Sequence, residues 1–172
     1  MTTLNTDDLR IKIITATSKA IKKIKEQMPQ SEICGLALYS DSEASSLAPA
    51  FNCKNHLESL QAEYPEDAVY FKWSPNEWSH ESYGEEFFTE ISFALRQLSE
   101  STPEGEALKK HRKNVFDVCI NALKELRKSE LKESIFVFSA TDYSSPQEEV
   151  FWIKAINSPL EAAEFEDWLT QN

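Results

Sequence analysis

The chain has 172 residues, 41% of them hydrophobic, which is enough to build the core of a single domain over residues 1–172. Its net charge of −11 disfavours nucleic acid and anionic membranes as partners. With only 3 glycines and no Gly-x-Gly, it lacks the dinucleotide fingerprint and the phosphate-binding loop of nucleotide enzymes, so no cofactor is expected.

Cysteine content and hydropathy predict the compartment. Cys34, Cys53 and Cys119 stand far apart, and an odd number of cysteines favours free thiols. The first residues lack the basic segment and the long apolar core of a secretory signal. No apolar run approaches the roughly 20 residues that span a bilayer. We therefore expect a cytoplasmic protein with reduced thiols and no membrane partner.

The first third of the chain predicts a helix followed by a hairpin. A helix is expected to begin at Thr6 and to end before Pro29, because isoleucines recur at helical spacing between them. The apolar run Ile33–Tyr39 is typical of a buried strand. Ala44–Phe51 is its candidate hairpin partner, which Pro49 restricts to the edge of a sheet.

The next segment predicts a helix, a strand and a capped helical turn. Lys54–Tyr64 is a short amphipathic helix, and in Ala68–Trp73 the apolar residues Val69, Phe71 and Trp73 alternate as in a half-buried strand. Ser74-Pro75-Asn76-Glu77 then has the form of a capping box. We expect Ser74 to cap a short helix whose first turn carries Trp78.

The second half predicts a helical pair between strands. The expected elements are helices over Glu85–Ser99 and Ala107–Lys128, strands over Ser134–Ala140 and Val150–Ile156, and a last helix that begins at Asn157-Ser158-Pro159. Strands therefore come early and late along the chain. This order favours an α+β fold with a mostly antiparallel sheet of about four to five strands covered by helices.

Few residues carry recognisable chemistry. None of the three histidines has a second histidine at helical spacing, and the ligand-like pair Cys53 and His56 lacks a second pair, so no metal site is expected. Cys34 and Cys119 lie in apolar patterns typical of core residues. Cys53, near a strand–helix junction, is the only plausible nucleophile.

A carboxylate pair is a second catalytic possibility. Glu77, Glu81, Glu85 and Glu86 lie near aromatic residues and could include an acid and a base, as in sugar hydrolysis. Solvated helix-terminal carboxylates are the simpler interpretation in a short, acidic chain. A small hydrolase-like enzyme that uses a carboxylate pair or Cys53 therefore remains the alternative to a protein without catalytic activity.

The segment Tyr70–Phe88 is the best candidate for recognition. It concentrates aromatic and acidic side chains within residues 31–106, which carry 3 basic and 15 acidic groups, net −12. Tyrosine and tryptophan dominate binding hot spots, but they also fill cores. If the segment is a surface, no catalytic residue is implied and the partner-binding residues are Trp78, His80, Glu81, Tyr83, Glu85 and Glu86.

The run Trp73-Ser74-Pro75-x-Glu77-Trp78, followed by Glu81-Ser82-Tyr83-Gly84, resembles an uncharacterised bacterial family of domains of unknown function. The resemblance extends from about Thr6 to Asn157 and implies no established activity. Some members of such families resemble immunity proteins of bacterial toxin loci. By that analogy of class, we expect a protein-binding module, immunity- or adaptor-like, whose partner is a basic protein such as a toxin.

Overall fold

A four-stranded sheet with helices on both faces forms the framework of the residues that the computed structural model describes, 4–143 and 145–171. The strands are β1 (Ile33–Asp41), β2 (Leu47–Cys53), β3 (His80–Glu81) and β4 (Ile135–Thr141). The helices are α1 (Thr6–Gln27), α2 (Lys54–Glu63), α3 (Ala68–Trp73), α4 (Thr89–Ser101), α5 (Glu106–Ser129), α6 (Pro146–Ile156) and α7 (Pro159–Gln171).

The order of the strands across the sheet is β3-β2-β1-β4. Strand β2 is antiparallel to both β1 and β3, whereas β4 runs parallel to β1. The predicted α+β class, with a mostly antiparallel sheet of about four to five strands, is therefore confirmed. The predicted hairpin is also confirmed, with Pro49 in the strand β2 and opposite Leu38.

Alternation along the strands divides the core between the two faces of the sheet. On one face, Leu36, Leu38, Phe136 and Phe138 belong to a cluster with the buried residues of α1, α4 and α5. On the other face, the small side chains of Ala37 and Ala50 leave room for large rings. The partners there are Trp73, Trp78, Ile153, Ala162 and Phe165.

On the side of β2 that faces away from β1, which we call its outer edge, side chains bond to backbone groups at both ends of the strand. The hydroxyl of Ser92 lies 3.1 Å from the backbone N of Leu47 and 3.2 Å from its carbonyl oxygen. The backbone N–H of Cys53 donates to the hydroxyl of Ser79 at 3.0 Å. Between Leu47 and Cys53, Pro49 has no backbone N–H, and β3 pairs with Ala50 and Phe51.

The predicted strand over Ala68–Trp73 is wrong, because these residues form the helix α3. Six residues are too few to separate a period of 2 from a period of 3.6. Phe71 and Trp73 are both buried, as an alternating pattern requires, but they pack in different directions. Phe71 contacts Tyr64 with ring centroids 5.8 Å apart, and Trp73 contacts Phe165 of α7 at 5.3 Å.

The predicted strand over Val150–Ile156 is also wrong, because the residues continue the helix α6. Pro146 occupies the start of this helix, where a missing N–H costs nothing, and two glutamates lie in its first turn. Trp152, Ile153 and Ile156 are buried at helical spacing. Ser144, two residues before this helix, lies outside the described residues.

The capping box at Ser74 is not formed. Residues Pro75–Glu77 make a single 3-10 turn, the side chain of Ser74 makes no capping hydrogen bond, and Trp78 follows the turn. The other predicted helices are confirmed, with Glu85–Phe88 forming a 3-10 turn that leads into α4. Within the described part of the chain, no helix combines the length and the apolar character needed to cross a bilayer.

Candidate functional site

The predicted recognition segment is held at the edge of the sheet next to α1. Strand β3 places His80 opposite Phe51 and Glu81 opposite Ala50. Gly84 then adopts a φ of 89°, and a Cβ at this position would lie 2.6 Å from the Cβ of Ala20 in α1. The glycine therefore allows the loop to close directly against the helix.

Trp78 is part of the core. Only 5% of its surface is exposed, and its indole N–H donates to the carbonyl of Lys72 at 3.2 Å. Its ring covers Gly35, where an added Cβ would lie 2.9 Å from a ring carbon. Of the two interpretations open to the sequence, burial supports packing rather than direct contact of this side chain with a partner.

Tyr83 and Glu86 are bound to α1. The hydroxyl of Tyr83 donates to the side chain of Gln27, and the Lys23 ammonium lies 4.9 Å from the centre of the tyrosine ring. The same ammonium bonds to the Glu86 carboxylate at 2.5 Å and lowers the pKa of that carboxyl. These two predicted site residues hold the loop to the helix.

Glu81 and Glu85 are the two predicted site residues that remain free. Both are exposed, and neither has an ion-pair partner among the described residues. Their charges act on Tyr39, whose hydroxyl bonds to Ser82. Burial raises the pKa of Tyr39, and the two carboxylates add to the effect. This part of the loop therefore keeps its negative charge open to solvent.

His80 lies beside a thiol. Its Nδ1 is 3.7 Å from Sγ of Cys53 and 2.8 Å from the hydroxyl of Ser79. Cys53 occupies the N-cap position of α2 and is 7% exposed. Burial lowers the pKa of His80, and the neighbouring His56 lowers it further. The imidazole is thus neutral at pH 7 and can accept a proton, which is the chemistry that a Cys–His nucleophile requires.

The candidate carboxylate pair is partly used for structure. Glu77 accepts a hydrogen bond from the hydroxyl of Tyr70 at 2.9 Å, and Glu86 is occupied by Lys23. Of the four carboxylates, this leaves Glu81 and Glu85 free of such contacts. No group of three or more potential metal ligands occurs within the described residues, where all three cysteines are free thiols.

Two exposed tyrosines extend the acidic region beyond the predicted site. Tyr64 is 42% exposed and Tyr70 is 37% exposed. Neither was among the predicted site residues, although both lie in the strongly acidic block of the sequence. The exposed carboxylates on the same short helical segments are Glu58, Glu63, Glu66 and Asp67, which form no ion pair within the described residues.

Contacts connect this region to the predicted site. The hydroxyl of Tyr70 reaches Glu77, and the Nε2–H of His56 donates to the carbonyl of Glu77 at 2.9 Å. His56 in turn lies close enough to His80 to lower its pKa. We call the exposed acidic and aromatic residues along this line the acidic face: Glu58, Glu63, Tyr64, Glu66, Asp67, Tyr70, Glu81 and Glu85.

Fold and site together define an α+β domain that carries an acidic, aromatic face. Residues 13–158 match a protein family described as a domain of unknown function, DUF4303, and the chain belongs to that family. Comparison with curated proteins and with solved structures found no match.

Proposed function

We propose that the protein is a non-catalytic binding module, immunity- or adaptor-like, that acts in the cytoplasm and binds a basic protein such as a toxin through its acidic face. The observation that carries this proposal is the set of exposed carboxylates without ion-pair partners among the described residues. Like charges that are left unpaired at a surface repel one another, so they do not help the fold. A basic partner would relieve this repulsion.

Electrostatics would act mainly on the rate of association. Opposite potentials steer two proteins together and fix their relative orientation before short-range contacts form. Tyr64 and Tyr70 add apolar area and a ring face that can contact a lysine or an arginine. The six carboxylates of the acidic face, none of which forms an ion pair within the described residues, would supply the long-range attraction, and the two tyrosines would supply contact area.

The first experiment identifies the partner by affinity capture from the native cytoplasm, followed by mass spectrometry. The second measures its association rate with the double variant Glu81→Lys/Glu85→Lys. We expect slower association and a weaker dependence on salt, with an unchanged melting temperature, because both side chains are exposed and unpaired.

A matched control changes the net charge by the same amount elsewhere. Glu100 and Glu104 are also exposed and lie at and beyond the end of α4. Glu100→Lys/Glu104→Lys should leave the association rate closer to that of the wild type. If the two double variants slow association equally, the net charge of the protein governs binding and the acidic face does not. If neither variant changes binding, the proposal is refuted.

A second candidate function is a small thiol hydrolase, which the distance of 3.7 Å between Cys53 Sγ and His80 Nδ1 favours. His80 would accept the thiol proton, and the thiolate would add to an acyl carbon and displace the leaving group, which takes up that proton. Water would then cleave the thioester and restore the thiol. Labelling by a chloroacetamide probe distinguishes the two functions. Hydrolase chemistry predicts labelling of Cys53 that His80→Ala abolishes, whereas a binding module predicts capture of the partner by Cys53→Ser at wild-type affinity.

A further inference from the structure

A second thiol lies on the strand next to Cys53. In the pairing of β1 with β2, Ile33 lies opposite Cys53 and Gly35 lies opposite Asn52, with a shift of register between the two pairs. Cys34 is therefore the extra residue of a β-bulge, in which two residues of one strand oppose one residue of its partner. The thiol of Cys34 donates to the carbonyl of Asn52 at 3.5 Å, and that carbonyl belongs to the peptide group that leads into Cys53.

The spacing of the two strands permits a bond between the two sulfur atoms. Opposing residues of antiparallel strands have Cα atoms about 4.5–5.5 Å apart, and a disulfide joins residues whose Cα atoms are about 4.4–6.8 Å apart. Burial raises the pKa of Cys34 to about 11, and the charge of Cys53 adds to the effect. The two thiols are thus close enough to act on one another.

The surroundings of the two thiols differ. Cys53 occupies the N-cap position of α2, and Nδ1 of His80 lies 3.7 Å from its Sγ. His80 can accept the thiol proton, and the positive end of α2 attracts the thiolate that remains. The raised pKa of Cys34, to which burial contributes most and Glu32 and Glu58 also contribute, keeps the second thiol protonated at pH 7. Cys53 is therefore placed to react first and Cys34 second.

We propose that Cys34, Cys53 and His80 form an oxidation-sensitive site, in which a hydroperoxide converts the two thiols into a disulfide. Because only 7% of Cys53 is exposed, a small oxidant such as hydrogen peroxide fits the site. The Cys53 thiolate attacks one peroxide oxygen and the O–O bond breaks. The departing hydroxide takes the proton held by His80 and leaves as water, so that Cys53 becomes a sulfenic acid.

The second step closes the disulfide. The sulfur of Cys34 attacks the sulfur of the Cys53 sulfenic acid, the S–S bond forms and the S–O bond breaks. The hydroxyl group leaves with the proton of the Cys34 thiol as a second water. In total the two thiols lose two electrons, which the peroxide gains. Proximity of the two sulfur atoms offsets the weak nucleophilicity of a protonated Cys34, since no encounter in solution is needed.

This site is independent of the proposed function, because the acidic face contains neither thiol. It also differs from thiol hydrolysis, which would use Cys53 and His80 but no second thiol. Disulfides that form in a reducing compartment are usually transient and serve catalysis or redox sensing. A dithiol reductant would restore both thiols by exchange, so the change is reversible.

The test is treatment of the reduced full chain with hydrogen peroxide, followed by a count of free thiols after denaturation. Two of the 3 thiols should be lost, and dithiothreitol should restore them. A glutamate-specific protease cleaves at Glu43, between the two cysteines, so mass spectrometry without reduction should find the peptides of Cys34 and Cys53 linked. An unchanged thiol count, or a linkage to Cys119, would overturn the proposal.

Variants separate the two steps. Cys34→Ser should stop the reaction at the Cys53 sulfenic acid, which dimedone labels, whereas Cys53→Ser should give neither sulfenic acid nor disulfide. His80→Gln should slow disulfide formation by more than about tenfold. Cys119→Ala is the matched control and should react at the wild-type rate, because Cys119 is fully buried in the core.

Three results with these variants would contradict the assigned roles. Equal dimedone labelling of the wild type and Cys34→Ser would show that Cys34 does not resolve the sulfenic acid. A disulfide that still forms in Cys53→Ser would exclude Cys53 as the first thiol. An unchanged rate in His80→Gln would exclude the proton transfer. Any of the three overturns the proposal and leaves the binding function untouched.

Discussion

The carboxamide of Asn157 takes the place of a neighbouring strand beside Phe136. The backbone N–H of Phe136 donates to Oδ1 of Asn157 at 2.8 Å, and Nδ2 of Asn157 donates to the carbonyl of Phe136 at 2.7 Å. Asn157 is 9% exposed, so water does not readily replace it. One side chain at the end of α6 thus satisfies both backbone groups that Phe136 presents at the free edge of β4.

Replacement of this side chain is the first prediction. Asn157→Leu leaves a buried N–H and a buried carbonyl without partners, and the free energy of unfolding should fall by about 2–4 kcal/mol. Asn121→Leu, at an exposed position of α5, should change it by less than about 0.5 kcal/mol. Urea denaturation measures both, and equal midpoints for the two variants would contradict the edge-closing role.

The contact between Gly35 and Trp78 gives a second prediction. Gly35→Ala places a methyl group 2.9 Å from the tryptophan ring and 3.2 Å from Cβ of Asn52, so the unfolding free energy should fall by about 1–3 kcal/mol. In a Trp78→Phe background the smaller ring should relieve part of this cost. A double-mutant cycle by chemical denaturation tests the coupling, and strictly additive effects would disprove it.

The third prediction concerns pH. Burial lowers the pKa of His111, although a bond to the Ala44 carbonyl and the charge of Asp41 act in the opposite direction. The unfolded chain, with a histidine pKa of about 6.5, then binds the proton more tightly than the folded protein. The neutral imidazole therefore favours folding above pH 6.5, and this contribution is lost as the pH falls through the lowered folded value.

Melting temperatures between pH 8 and pH 5.5 test this linkage. The wild type should lose stability on acidification, and His80, whose pKa burial also lowers, should contribute in the same direction. His111→Gln cannot take up the proton, so its stability should fall less steeply over the same range. Parallel curves for the two proteins would show that His111 does not titrate differently on unfolding.

Thiol reactivity is the fourth prediction. Cys34 is partly exposed, but burial raises its pKa to about 11, so its reaction with a disulfide reagent should be slow at pH 8 and accelerate towards higher pH. Cys119 is buried and its pKa is raised by burial alone. It should react only after denaturation. Rapid modification of all 3 thiols in the native protein would contradict the packing described.

Much of the fold could be predicted because its longer elements carry strong periodic patterns. The helices α1, α4 and α5 repeat their apolar positions over several turns, and the apolar run of β1 is bounded by turn residues. The patterns of Ala68–Trp73 and Val150–Ile156 predict strands because runs of six or seven residues satisfy both periods, but both segments are helical. In both, burial between neighbouring elements explains the apolar residues without a sheet.

The candidate site was less accessible to prediction. The acidic block follows directly from residue counts, but the exposure of Tyr64 and Tyr70 depends on the helix that replaced a predicted strand. The proximity of Cys53 to His80 arises from the pairing of β2 with β3, across 27 positions of sequence. Neither residue has a local pattern that indicates the other.

The covered edge of β2 limits how this protein can associate with another chain. Because Pro49, the hydroxyls of Ser79 and Ser92 and the short β3 occupy that edge, an incoming strand finds few free backbone groups to pair with. Backbone pairing tolerates most sequences, whereas side-chain contacts depend on residue identity. The partner that we propose would therefore have to be recognised by side chains, and we expect its binding to be sensitive to changes of charge on the acidic face.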